Sequence, residues 1–347
     1  MKRLSLILVL FAALSMMVTS CDVHEFPELP EEPEKVSFTL HLHYTTDMPQ
    51  WEYPITSVRS IVPSKSVQTT GEMRYIIRLY PRDAKSSAWT PSQEFVFTRD
   101  VADGYDAEFT LEAPAGSYTV MVWSDLAENV GGGHRFYNTE DFLDIALQGD
   151  HAGNNDYRDA FRGTHSLTLT SGITETEPET AVIEMERPLA KFEFVTTDVE
   201  EFIDKEVQAA ISRGEITEEA PTSRVNVEDY KVVFYYVGFM PSAYSMFTDK
   251  PVNSVTGISF AGRLASLNES EASMGFDYVF VNGTESAVTV HVGIFDKDGN
   301  RLSMSEPVRV PLRRSKHTVL KGKFLMQNAS GGVSINPDYD GDHNIIL

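Results

Sequence analysis

One cysteine, Cys21, stands in 347 residues. A lone thiol excludes any intrachain disulfide, so the fold must rest on its apolar cores. Beyond the first 20 residues no apolar run reaches the roughly 20 residues that a membrane-spanning helix needs. Cations are scarce too: 29 Lys and Arg face 51 Asp and Glu, a net charge of −22. Removing residues 1–20 takes Lys2 and Arg3 and no acid, which leaves −24. Such a chain repels nucleic acid and anionic headgroups, both of which need clustered Lys and Arg. Also missing are His-Glu-x-x-His, Gly-x-Ser-x-Gly and a phosphate-cradling Gly-Lys-Ser/Thr, the patterns of zinc peptidases, α/β hydrolases and nucleotide enzymes. The expectation is a protein that is not an enzyme and carries no cofactor.

What is present starts with the leader. Lys2 and Arg3 precede an apolar run from Leu4 to Val18, and Thr19-Ser20-Cys21 follows, a secretory signal over residues 1–20 that ends in small residues. The order aliphatic, small, small, cysteine resembles a bacterial lipobox, which implies a diacylglyceryl group on Cys21 and a mature chain that begins there. An ordinary signal peptide followed by a free thiol, or an uncleaved helix, is the alternative. Against it, the run is short for a span, and an unpaired secreted thiol needs a reason. Each buried methylene contributes about 0.8 kcal/mol, so two or three acyl chains hold a protein on a membrane. Residues 21–35 then form an acidic, proline-bearing tether: DVHEFPELPEEPEK repels itself and stiffens at its prolines.

The residues after position 20 exceed one hydrophobic core and predict two domains. Val36, Phe38, Leu40 and Leu42 alternate with polar residues along Val36–Tyr44, the pattern of a half-buried strand. His41 and His43 share its other face, where two imidazoles could ligate a metal; with no third ligand near in sequence, a solvated face is expected. Strands are predicted at Met73–Tyr80 and Glu94–Thr98. Ala107–Glu112 and Ser117–Trp123 flank Ala113-Pro-Ala-Gly116, a hairpin signal. Residues 131–159 read as mostly loop, with a short apolar piece at Phe142–Leu147, before strands at His165–Thr170 and Ala181–Met185. Pro188, which cannot donate to a ladder, marks the boundary between sandwiches over 36–187 and 188–347.

In the second half Ala190–Thr196 reads as a strand. Val199, Phe202, Ile203, Val207, Ala210 and Ile211 fall at helical spacing, which predicts an amphipathic helix over Val199–Ser212 laid on its own sheet, with a partner-binding helix as the alternative. Strands are expected at Tyr230–Gly238, Gly257–Leu264, Phe276–Val281, Val288–Phe295, Arg301–Met304 and Lys316–Met326, with a primed turn at Asp298-Gly299. The fold class is mainly all-β: two tandem β-sandwich domains with one inserted helix.

Asp338, Asp340, Asp342 and Asn344 place oxygen ligands at alternate positions, as calcium loops do. The glycine stands fourth where such a loop wants it sixth, and no twelfth-position glutamate follows, so a solvated acidic turn is the preferred reading. Trp51 and Trp89 lie in loops where exposed rings could stack on sugars, while Trp123 lies in a strand and reads as core. A surface glycan-binding lipoprotein is therefore a second reading.

Taken in order, the lipobox, the acidic tether, the "PAGSYTVMVW" hairpin, the "ERPLAKFEF" crossover and the C-terminal "GGVSINPDYDGDHNIIL" resemble the fimbrillin-like lipoproteins of Bacteroidota, in particular the minor-fimbria anchor and assembly branch. That resemblance implies two transthyretin-like or immunoglobulin-like sandwiches, lipid anchoring in the outer membrane with display at the cell surface, and partners among other fimbrial subunits. It implies contact by strand addition to an open sheet edge. Polymerising stalk subunits of that family are cleaved after an arginine in the loop beyond the first strand. Here Arg59, or Arg74 at the start of the next strand, would be the place. An anchor has reason to avoid the cut, because it would part the body from the lipid at Cys21. The expectation is an uncut anchor whose partner meets a sheet edge or the last residues, Asn344–Leu347.

Overall fold

Period-two burial decides the first strand. Val36, Phe38, Leu40 and Leu42 all lie buried on one face of β1 (Lys35–Tyr44). The computed structural model describes residues 34–50, 70–82, 90–128, 135–172, 179–216 and 225–327. The first half continues with β2 (Glu72–Pro81), β3 (Gln93–Asp100), β4 (Ala107–Pro114), β5 (Gly116–Ala127), β6 (Tyr137–Asn138), β7 (Ile145–Leu147), β8 (Ala160–Leu169) and β9 (Glu179–Met185). The second half opens with β10 (Leu189–Thr196), helix α1 (Val199–Ser212), β11 (Lys231–Tyr236), β12 (Met240–Ser245) and β13 (Lys250–Val255). It closes with β14 (Ser259–Arg263), β15 (Ala265–Ser266), β16 (Ala272–Phe280), β17 (Glu285–Phe295), β18 (Arg301–Met304), β19 (Val308–Arg313) and β20 (His317–Gly322). The protein is mainly all-β, as its alternating sequence predicts.

β1 sits between β4, antiparallel to it, and β9, parallel to it. The sheet β3-β2-β5-β8 faces this one, and Phe38, Leu40, Tyr75, Ile77, Val122 and Ile183 fill the space between. The second half repeats the plan. β10 lies antiparallel to β16 and parallel to β20, opposite the sheet β14-β11-β17, whose last strand carries both β18 and β19. Its core is Phe192, Phe194, Phe234, Val290, Val292 and Val310 among others. Thus β1 and β10, β2 and β11, β5 and β17, β9 and β20 hold like positions.

Each copy of the plan carries an insertion, β6 and β7 after β5, and β12 and β13 after β11. The two insertions meet, Ile145 opposite Tyr244, to build the sheet β13-β12-β7-β6 from both halves of the chain. Under it lies a third core that draws Ile76, Trp123 and Phe142 from one half and Leu189, Tyr244 and Phe280 from the other. Sequence periodicity missed this sheet because Pro241 and Pro251 read as strand breakers. Both stand where a strand tolerates proline: Pro241 beside a register shift, and Pro251 on an edge. β19 escaped notice for the same reason, through Pro311.

Helix α1 has the predicted bounds, and Val199, Phe202, Val207 and Ala210 are buried along one side of it. The Phe202 ring meets Tyr230 edge-on at 4.8 Å, so the helix packs on its own half. The Asp298-Gly299 turn is not primed. Gly299 alone there takes a left-handed φ, of 87°, whereas a primed two-residue turn needs one at its first central residue. The Asp296 carboxylate instead accepts from the N–H groups of Asp298 and Asn300 and shapes a wider loop.

Candidate functional site

Charge crosses between the two halves mainly through one short stretch, Asp156 to Arg162. The Asn155 side chain accepts from the Tyr157 N–H and folds residues 156–158 into a single tight turn, after which β8 begins. Four side chains of opposite signs are thereby presented, Asp156, Arg158 and Arg162 to the second half and Asp159 to Arg187 at the boundary. Asp156 accepts from Lys191 Nζ at 2.7 Å and Tyr278 Oη at 2.8 Å. Arg158 donates to Asp277. Asp159 accepts from Arg187 Nε at 2.8 and 2.9 Å. Arg162 donates at 2.9 Å to Asp249, which Arg314 also holds at 2.8 Å.

Asp277 is fully buried, and besides Arg158 it accepts from His151 Nε2 and Tyr236 Oη, each at 2.6 Å. Its own neighbour's N–H, that of Tyr278, donates at 2.8 Å. Burial pushes the carboxyl group up, yet the Arg158 charge and the bonds from His151 and Tyr236 outweigh it and hold Asp277 below the ordinary carboxylate value. The same burial, joined by the Asp277 charge, pushes the Tyr236 hydroxyl well above the ordinary phenol value. Because an ionised carboxylate only accepts, the His151 Nε2 that faces it carries the proton. Four donors saturate Asp277, which leaves it a structural anion with no lone pair for a substrate.

Arg187, of the "ERPLAKFEF" stretch, is fully buried. Besides Asp159 it donates to the carbonyls of Thr45 at 3.0 Å, Thr46 at 2.8 Å and Asp47 at 3.3 Å. These are the residues that leave β1. Next along the chain, Met48 enters the third core, and the Pro49 carbonyl accepts from the His317 N–H at 3.2 Å. The exit of the first strand is thus fastened to both sandwiches.

The solvent face of β1 carries His41 and His43 as expected, His41 Nδ1 paired with Glu108 of β4 at 3.3 Å and His43 Nδ1 with Asp106, the residue before β4, at 3.0 Å. Strand pairing supplies carboxylates that are distant in sequence. Among the described residues no three His, Cys, Asp or Glu side chains group to hold a metal ion, and no helix is long and apolar enough to cross a membrane. Trp123 is core, fully buried and edge-on to Tyr137 at 5.4 Å. Arg74 lies within β2 between two partner strands, its guanidinium on Asp125 with Nε at 2.8 Å from Oδ1, not in a loop. Cys21, Trp51, Arg59, Trp89, Asp338, Asp340, Asp342 and Asn344 lie outside the described residues. The joint itself fell in a stretch that sequence reading assigned to loop. Its signal was there: acids and arginines alternate at Asp156, Arg158, Asp159 and Arg162 in a chain otherwise dominated by acids.

A family model described as a family of unknown function, DUF6562, matches residues 31–347. The chain belongs to that family. The span that defines this DUF6562 member takes in every described strand and the helix. No curated protein matches it in sequence. Among solved structures the DUF6562 chain is similar to a fimbrial assembly protein of Parabacteroides distasonis, 11% identical over 86% of this chain and 94% of that one, with a TM-score of 0.40. It is also similar to the fimbrial anchor protein Mfa2 of Porphyromonas gingivalis (12% identity, 78% and 82% coverage, TM-score 0.36). The tip fimbrial protein Mfa3 of the same organism gives 10% identity, 80% and 81% coverage and a TM-score of 0.38.

Proposed function

We propose that this chain is a lipid-anchored fimbrial component of the bacterial outer membrane, displayed at the cell surface, where it acts as an uncut anchor or assembly subunit. The observation that carries the reading is the way β1 is fixed. It is the middle strand of its sheet, and Arg187 grips the three carbonyls at its exit. If lipid holds Cys21, then the tether and β1 are the covalent link between membrane and body. Burial of Val36, Phe38, Leu40 and Leu42 stabilises that link by about 1.5–3 kcal/mol per side chain. Cleavage at Arg59 would leave the body held by these contacts alone. The lipobox, the acidic tether and the order of the sequence motifs support the same reading. Partners are other fimbrial subunits, met by strand addition to a free sheet edge.

Intact mass of the protein taken from native filaments tests this. The expected species runs from Cys21 to Leu347 with its acyl groups; a body that begins at Ser60 would make the chain a shaft or tip subunit and overturn the anchor role.

A further inference from the structure

Exposed apolar side chains cluster on one part of the surface. Seven large hydrophobic side chains are exposed among the described residues, and four of them, Val237, Phe239, Val252 and Val255, fall within residues 237–255. Met240 pairs with Val255, and the Tyr236 N–H donates to the Ile258 carbonyl at 2.9 Å, so the entry to β12 and the end of β13 run side by side. Phe239 keeps 59% of its surface in water. β13 is an edge strand: it pairs with β12 on one side and with no strand on the other among the described residues. Lys250 and Pro251 blunt its first two residues, which leaves Val252 to Val255 as an uncharged open stretch. Other edges are blunted as edges that resist pairing are, β9 by exposed Glu179 and Glu184, and β3 by Glu94 and Asp100.

Beside β13 opens a cavity of about 130 Å³, walled by Val255, Ile258, Met240 and Asp150 and also by His151 and Arg158, both of which are bonded to Asp277. The neighbouring insertion exposes Glu140, Asp141, Asp144 and Asp150. Asp144 reaches β13 itself, where it accepts from Asn253 Nδ2 at 3.0 Å. An apolar edge with a side-chain cavity and an acidic flank is what strand addition by a cationic segment requires: the main chain supplies affinity and the cavity sets the register.

We propose that β13 accepts an extended segment of a basic partner protein, with one aliphatic side chain in the cavity and Lys or Arg against Asp144 and Asp150. A second copy of this chain, at −22, has the wrong sign. The inference deepens the fimbrial reading, since it assigns the edge where a partner docks.

The probe is a synthetic peptide of about ten residues, Val alternating with Thr around a central Leu, with Lys at both ends. It is titrated onto the full chain while backbone amide exchange is followed by mass spectrometry. Slower exchange over 250–256 is expected, with binding about tenfold weaker to the V252K/V255K variant and to a peptide bearing Glu in place of Lys. Both valines are exposed, so the variant should keep the parent's melting temperature; a single F239S variant, tested alongside, covers a loss of fold. Protection elsewhere, equal binding by the Glu peptide, or undiminished binding by both variants would overturn the proposal. So would self-association of the chain that V252K/V255K abolishes, which makes a second copy the occupant. Membrane retention through Cys21 is a separate readout: retention without peptide binding removes this edge and leaves the anchor reading standing.

Discussion

Replacing Arg187 with Ala would strand Asp159, 2% exposed, without its counter-charge and would free the carbonyls of Thr45, Thr46 and Asp47. Loss of one partner of a buried pair costs about 3–5 kcal/mol, and urea unfolding should register that fall for Arg187→Ala. Asp277 gives a pH signature. Its folded value lies below the ordinary 3.8, so its contribution is complete above that value and is lost as pH falls through the lower folded one. Denaturation midpoints should therefore drop steeply below pH 3.8 in the parent. Asp277→Asn should be weaker at neutral pH and flatter in acid; an unchanged acid limb would show that other carboxylates govern it. At the other end of the chain, Cys21→Ala should release the protein from the membrane fraction after a high-salt wash, which strips electrostatic association and spares acyl anchoring. Cys21 stands out in the sequence because the residues that resemble a lipobox are contiguous. The joint does not, because Arg158 and Asp277 stand 119 residues apart and only folding brings them together.

Strands with clean alternation, and the helix, were legible as elements because burial on one face writes a period into the sequence. Arg301–Met304 and Val199–Ser212 match to the residue. β12, β13 and β19, which carry Pro241, Pro251 and Pro311, were not, since the missing N–H hides them from the pattern while edges and bulges accommodate it. Register is set more tightly than periodicity can reveal. Gly163 on β8 has room for hydrogen only: a Cβ there would lie 2.5 Å from Ile183 Cγ2 and 2.7 Å from Met185 Sδ, both on β9. Gly163→Ala should thus cost about 1–3 kcal/mol by forcing β8 and β9 apart, read as a lower thermal midpoint. An unshifted midpoint would mean that the corner between the two sheets gives way freely.

For the molecule as a whole, two sandwiches on one plan were foreseeable, whereas the sheet that their insertions share was not, because pairing between β7 and β12 has no local signature. We propose that 36–187 and 188–347 are folding units that complete each other. Produced separately, each half should expose its part of the third core and bind a hydrophobic dye, and mixing should restore a one-to-one complex by size exclusion. Halves that stay monomeric and dye-free would refute the shared core. One feature of the first sandwich bears on mechanics. β1 is flanked along its length by β4 and β9, and its N-terminal end follows residue 34, the first described residue. A pull on that end acts along the strand axis. Both ladders then bear load together in shear, and no bond at the end can be peeled before its neighbours. If lipid holds Cys21 as proposed, tension on a filament would meet its stiffest resistance at β1, the first strand after the anchor.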